Sequence, residues 1–247
     1  MTEYRADLHA HSINRWNNHF PYPSSRKDTV KAAYKKGVNI FSLSEKENPM
    51  EAYNAIKGLC ENLGIITLPA QEVASRDGDI LAIGITEEIK KPRKMDCYEA
   101  TDKIKEQGAK AIATHPGLPK GSLSRNQVLD LYRNNKIIAA DVVTGAVDAN
   151  PLFMLRHRKN IKWANKNGIK VVGFSDAKRA GQIGACTTLY DLENPDKESV
   201  LKNLGNPSGI KIAPNYLSSL EKIMQTYDVT TLTGTKQLLN NVRRYVV

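Results

Sequence analysis

Short apolar runs alternate along the chain with stretches whose hydrophobic positions recur at helical spacing. Seven runs, Tyr4–Leu8, Asn39–Leu43, Ile65–Leu68, Ile80–Ile85, Ala111–Thr114, Ile137–Val143 and Lys170–Gly173, are too short and continuous for amphipathic helices. They suit strands buried on both faces. Between them, Ser25 precedes Asp28, Asn48 precedes Glu51 with Pro49 at the first helical position, Asp96 precedes Glu99, and Ser124 precedes Gln127. Each pair predicts a helix start whose first side chain caps an orphan backbone N–H. Gly37, Gly64, Gly108 and Gly168 stand where helical stretches give way to the next run, as residues able to take positive φ and end a helix.

Strand, helix, strand repeated in this way predicts an α/β fold of parallel strands joined by right-handed crossovers. A closed or nearly closed barrel is expected, with an open doubly wound sheet as the alternative. After Leu192 the pattern breaks into Asn194-Pro195, Asn206-Pro207 and Ala213-Pro214-Asn215 turns, followed by helical stretches at Ser218–Tyr227 and Thr235–Tyr245. Residues 193–247 are therefore read as a small helical extension packed on a barrel of residues 1–192, within one domain. A segment of about 50 residues seldom builds its own core.

Composition narrows the class. Of 247 residues 40% are apolar and 25% charged, which excludes disorder and collagen-like repeats. The 36 Lys and Arg against 26 Asp and Glu give a formal charge of +10, favouring anionic partners without choosing between nucleotides, nucleic acid and mere counterions. No run approaches the roughly 18 apolar residues of a membrane helix, and the opening residues lack the regions of a secretory signal. A cytoplasmic protein with no membrane partner is expected. Cys60, Cys97 and Cys186 show no CxxC spacing and are expected as core residues.

Residues able to ligate a cation gather at expected strand ends, the face where a parallel barrel builds its active site. His9 and His11 are two apart, so on an extended strand both imidazoles project to one side. Read alone they are either a metal-ligand pair or two polar residues at a strand mouth. Glu72 follows the third run, His115 the fifth and Asp176 the seventh. Two imidazoles with two carboxylates suit a divalent zinc, manganese or iron ion.

With Asp7-Leu8-His9-Ala10-His11-Ser12 near the start, and Ser175-Asp176-Ala177 followed by Ile183-Gly184, the chain resembles the PHP family, the polymerase and histidinol phosphatase phosphoesterases. The resemblance implies a distorted (β/α)7 TIM-like barrel whose trinuclear metal centre hydrolyses phosphate esters. It implies that His9, His11, Glu72 and Asp176 hold the first metal, with Glu72 bridging to a second that includes His115. Four positions depart from the family pattern. Thr-Asp-His has become Ser44-Glu45-Lys46, Ser-Asp-Ala-His has become Ser175-Asp176-Ala177-Lys178, a histidine before Ile80 is Asp79, and a loop histidine is met by Asn17 with His19 nearby.

An ammonium group has no lone pair to give a metal and repels it. The third metal site is therefore expected to be empty, leaving one metal and room for a second in which Asp79 can coordinate. Lys46 and Lys178 are expected beside the pocket, where they hold a phosphate in place of the third cation. The alternative is a salt-bridged plug in which they pair with Glu45, Glu47 or Asp79. The basic runs Lys90-Lys91-Pro92-Arg93-Lys94 and Arg156–Trp163 read as a solvated loop and outer helix, with His157 on that helix's surface. Trp16, Phe20 and Tyr22 read as lining or pinning a substrate loop.

The expected function is a metal-dependent phosphoesterase acting on a nucleotide, an oligonucleotide end or a sugar phosphate. Its catalytic candidates are His115, Lys46 and Lys178. The alternative is a catalytically degenerate barrel serving as an RNA- or protein-binding subunit.

Overall fold

A computed structural model describes residues 2–12, 24–118, 121–144 and 154–212, with the backbone alone for 154–157. The helices expected at Ser218–Tyr227 and Thr235–Tyr245, together with Trp16, Asn17, His19, Phe20 and Tyr22, lie outside the described residues, as does the side chain of His157. The strands are β1 (Thr2–Asp7), β2 (Ile40–Phe41), β3 (Ile66–Thr67), β4 (Ala70–Ala74), β5 (Asp79–Ile83), β6 (Lys110–Thr114), β7 (Ala139–Thr144), β8 (Val171–Phe174), β9 (Cys186–Leu192) and β10 (Gly209–Ile212). The helices are α1 (Arg26–Lys35), α2 (Pro49–Asn62), α3 (Cys97–Glu106), α4 (Arg125–Arg133), α5 (Met154–Lys166) and α6 (Lys197–Asn203). Each of the seven apolar runs overlaps a strand.

The strands form two five-stranded sheets, ordered β10-β9-β1-β2-β3 and β4-β5-β6-β7-β8. The expectation of parallel pairing throughout is corrected here. β1, β2 and β3 pair parallel, as do β6, β7 and β8, but β4–β5, β5–β6, β1–β9 and β9–β10 are antiparallel. Only Ser75–Gly78 separate β4 from β5, and Ser75 Oγ donates to the Gly78 carbonyl at 2.5 Å. So short a link makes a hairpin and cannot carry a crossover. With β5 reversed, β6 must reverse again to lie parallel to β7.

The helix starts behave as their chemistry demands in three cases. Ser25 Oγ accepts from the Asp28 N–H at 3.1 Å, Asp96 accepts from Tyr98 and Glu99, and Ser124 with Gln127 closes a reciprocal capping box. Asn48 is a correction. It takes φ 53 and makes no side-chain cap, and helix α2 starts instead with Pro49, which has no N–H to satisfy. Gly37, Gly64, Gly108 and Gly168 all take φ between 66 and 72, as their places at helix ends require.

Side chains alternate along β5, so that Ile80 and Ala82 pack under the helices while Leu81 and Ile83 face a second core. That second core joins Leu8, Ile40 and Tyr190 of one sheet to Leu81, Ile112, Val172 and Phe174 of the other. Burying each such large side chain contributes about 1.5–3 kcal/mol, and the shared core joins the two sheets. Backbone bonds also cross between them: His11 N–H donates to the Ala177 carbonyl at 2.7 Å and Glu72 N–H to the Ser44 carbonyl at 3.0 Å. The three cysteines are free and buried, as expected. Past Leu192, Val200 and Leu204 join the shared core, and the Tyr190 hydroxyl donates to the Leu204 carbonyl at 3.1 Å. Among the described residues no helix is long and apolar enough to cross a membrane.

Candidate metal centre

The two backbone seams meet where β1 ends. Alternation puts Asp7, His9 and His11 on one side of the chain, and all three are fully buried. Asp7 accepts from the Ser175 N–H at 3.0 Å and the Gly184 N–H at 2.8 Å, tying the loop after β8 to β1. Burial pushes the Asp7 carboxyl up to about 6, although these bonds oppose the rise. Held in this way, Asp176 takes φ 48, and after β6 His115 takes φ 32. Both are left-handed backbones at non-glycine residues, a strain that persists only where surrounding contacts fix it.

These loops bring all five expected ligands together. His9 Nε2 lies 3.5 Å from Glu72 Oε1 and 3.4 Å from Asp176 Oδ1. His11 Nε2 lies 3.2 Å from Glu72 Oε2 and 3.4 Å from Asp176 Oδ1, and His115 Nε2 lies 3.3 Å from Glu72 Oε1. In each of three sets, His9 with His11 and Glu72, His9 with His115 and Asp176, and Glu72 with Asp79 and His115, the donor atoms lie within 4.8 Å of one another. Glu72 does not follow a strand as expected. It sits inside β4, whose polar Gln71 and Glu72 are both buried.

Neighbours fix which ring nitrogen faces inward. His9 Nδ1 lies 3.3 Å from Asp141 Oδ2, an acceptor when ionised, so Nδ1 carries the proton of a neutral ring. His115 Nδ1 lies 3.0 Å from Ser122 Oγ, whose own proton goes to the His115 carbonyl at 2.8 Å. Nδ1 is again the donor, which turns a lone pair on Nε2 toward the Glu72 carboxylate. Among the described residues His9 Nε2, both His11 ring nitrogens and Glu72 Oε2 are buried without a hydrogen-bond partner. Lone pairs facing carboxylate oxygens in a buried site call for positive charge between them.

Without a metal, protons and ammonium groups supply that charge. Burial alone would lower the His9 pKa, yet Asp176, Asp141 and Glu72 outweigh it and lift the ring to about 10. For His11, burial and Lys178 lower the value, while Asp176, Glu45 and Glu72 raise it to about 9. Burial would raise Glu72 and Asp176, but Lys46 with the histidines, and Lys178 with His9, hold the two carboxyls well below the usual range. A divalent cation meets the same demand. The donor set of imidazole nitrogens and carboxylate oxygens fits zinc, manganese or iron.

Lys46 Nζ lies 2.8 Å from Asp79 Oδ2 and 3.3 Å from Glu72 Oε2, and Lys178 Nζ lies 2.5 Å from Asp176 Oδ1. Of the three carboxylates proposed for a plug, Asp79 is the one used. Glu45 Oε1 instead accepts from Ser12 N and Oγ, and its Oε2 lies 3.7 Å from His11 Nδ1. The two lysines end on different carboxylates, with the series Glu72, His11, Asp176 between them.

Several supporting residues were missed in the sequence. Gln71 Nε2 donates to the carbonyls of Lys46 at 3.0 Å and Ile89 at 3.2 Å, and its oxygen accepts from the Ile89 N–H at 2.8 Å. The exposed run Lys90–Lys94 is thereby stapled beside the Lys46 loop. Helix α5 is not wholly a solvated face, because buried Asn160 donates to the Pro116 carbonyl at 3.0 Å and accepts from Arg125 at 2.8 Å, bracing the His115 loop. Asp141, a charge within an otherwise apolar run, was a readable signal. Ser122 offered none.

Residues 155–206 match the PHP-associated family. The chain is 29% identical over 133 residues to the uncharacterized protein MJ1587 of Methanocaldococcus jannaschii, covering 51% of this chain and 76% of that one. Its fold is similar to a two-domain protein from Bacteroides vulgatus containing a predicted PHP-like metal-dependent phosphoesterase, with TM-score 0.64 and 21% identity, covering 83% of this chain and 63% of the other. It is also similar to the lesion-specific endonuclease PfuEndoQ from Pyrococcus furiosus, with TM-score 0.51 and 16% identity, covering 85% of this chain and 58% of the other. The same holds for an endonuclease Q complex with a 27-mer duplex carrying an abasic lesion at the active site, with TM-score 0.52, 16% identity and the same two coverages. The chain spans less than two thirds of these solved structures. The chain thus shares the fold of PHP-like proteins, and its residues 155–206 match the PHP-associated family.

Proposed function

We propose that this protein is a metal-dependent phosphoesterase that cleaves phosphate esters of nucleic acid with a reduced metal centre. The observation that carries this reading is that His9 and His11 each bring Nε2 within 3.5 Å of both Glu72 and Asp176, with those buried ring nitrogens left unpartnered. These four residues would hold the ion. Such a metal lowers the pKa of water and polarises a phosphoryl oxygen. Lys46 and Lys178, each 26% exposed, reach the pocket and neutralise phosphate oxygens. His115, whose Nδ1–H is held by Ser122, presents the Nε2 lone pair beside Glu72, where it would take a proton from the attacking water and pass it to the leaving oxygen. The two crossing backbone seams support reading the paired sheets as a distorted barrel, with residues 193–247 as its extension. Free, buried cysteines suit a reducing cytoplasm.

Nucleic acid is favoured over a small phosphorylated molecule by the exposed Lys90, Lys91, Arg93 and Lys94, which Gln71 anchors next to the site. The likeness to endonuclease Q supports the same choice. A second reading has its own observation: Lys46 and Lys178 already neutralise Glu72, Asp79 and Asp176, as a metal-free RNA-binding scaffold would need. Incubation with labelled oligonucleotides and added manganese or zinc separates the two. Cleavage abolished by chelator and by His9→Ala supports the enzyme. Absence of cleavage with either metal, alongside salt-sensitive RNA binding by metal-free protein, supports the scaffold.

A further inference from the structure

We infer that the ammonium group of Lys46 is a resident cation in the second metal position, so that the centre accepts a single divalent ion. The inference rests on the metal-centre reading above and concerns what fills the neighbouring donor set. Glu72, Asp79 and His115 form a complete, buried three-donor group with atoms within 4.8 Å of one another. Lys46 Nζ already contacts two of its three members, at 2.8 Å from Asp79 Oδ2 and 3.3 Å from Glu72 Oε2. An ion bonded to those oxygens would sit about 2.0–2.2 Å from each. It would share their lone pairs with the ammonium and face its like charge at short range in a buried site.

The backbone that carries Lys46 is held in place. Its carbonyl is gripped by Gln71, a fully buried side chain locked in turn to both backbone groups of Ile89. On the other side, Glu45 is fixed by two bonds from Ser12. Lys178 differs, because its partner Asp176 also faces His9 and His11 and so belongs to the first donor set. An ion entering that set takes Asp176 from Lys178 but leaves Lys46 on Asp79. The ammonium then supplies, from the protein itself, positive charge that a second metal would otherwise bring to the phosphate.

Metal equivalents bound per chain test this, measured by atomic emission after equilibration with zinc or manganese and by titration calorimetry. Wild type should bind one equivalent. Lys46→Met, which removes the charge and keeps much of the length, should bind two, and Lys46→Arg should return to one. Lys46→Gln replaces the Met variant if circular dichroism shows that variant unfolded. Two equivalents in wild type, or one in a folded charge-free variant, overturns the inference while leaving the first metal site standing. No metal in wild type overturns the metal-centre reading itself.

Discussion

Asp141→Asn is a test of a residue outside the donor set. Asp141 is fully buried, with Oδ1 accepting from the Phe174 N–H and Oδ2 lying against His9 Nδ1, each at 3.3 Å. Asparagine keeps the volume and leaves an oxygen for Phe174, but it turns an amide N–H toward His9. That donor makes Nδ1 the acceptor and moves the ring proton to Nε2, the atom facing Glu72 and Asp176. A lone pair meant for a metal is then lost from one of four ligands. Replacing the partner of a ligating imidazole typically costs about 10–100-fold in metal affinity. That is roughly 1.4–2.7 kcal/mol. The upper end is expected, because the change reverses the tautomer. Calorimetric titration with zinc at neutral pH reads the affinity, and a melting curve in chelator confirms that the fold survives. Equal affinities in two folded proteins would refute the claim that Asp141 orients His9 as a ligand.

Other consequences follow from the same geometry. His9 and His11 are lifted to about 10 and about 9 from an ordinary value of 6.5, so they stabilise the metal-free protein below about pH 6.5 and lose that contribution as pH rises through 9 to 10. The melting temperature in chelator should fall over that window, whereas metal affinity should rise with pH as the competing protons leave; calorimetry in buffers of different ionisation heat measures their release. Changing Lys90, Lys91, Arg93 and Lys94 to Gln should weaken oligonucleotide binding and shrink its salt dependence by about 0.9 in log–log slope per lost duplex phosphate contact. An unchanged slope would remove the basic run from the binding surface. Asn160→Ala leaves the Pro116 carbonyl without its bond from Asn160 and should cost about 1–3 kcal/mol in denaturant unfolding. A loss below about 0.5 kcal/mol, the size of an ordinary surface change, would show that the brace under the His115 loop is not needed.

The sequence was legible where one local rule sufficed. The apolar runs located seven strands, and two-residue spacing placed His9 and His11 on one side. β4 escaped because Gln71 and Glu72 are polar yet buried, one as a backbone clamp and the other at the centre of the site. The Asp77-Gly78 pair beside it was a hairpin signal that would have corrected the parallel topology. β9 opens with Cys186-Thr187-Thr188, whose buried threonines read as polar positions. The partners of Lys46 were open among three carboxylates because the choice depends on how β2, β4 and β5 stack, which no spacing rule encodes. Ser122 reaches His115 across a loop, and nothing in its neighbours marks it.

The most direct measurement is the anomalous diffraction of a crystal grown with zinc. One peak is expected, bounded by His9 Nε2, His11 Nε2, Glu72 and Asp176 at about 2.0–2.2 Å, with Lys46 still on Asp79. No peak at that point, or a zinc ion that does not touch His9, would contradict the assignment of this cluster as a metal centre.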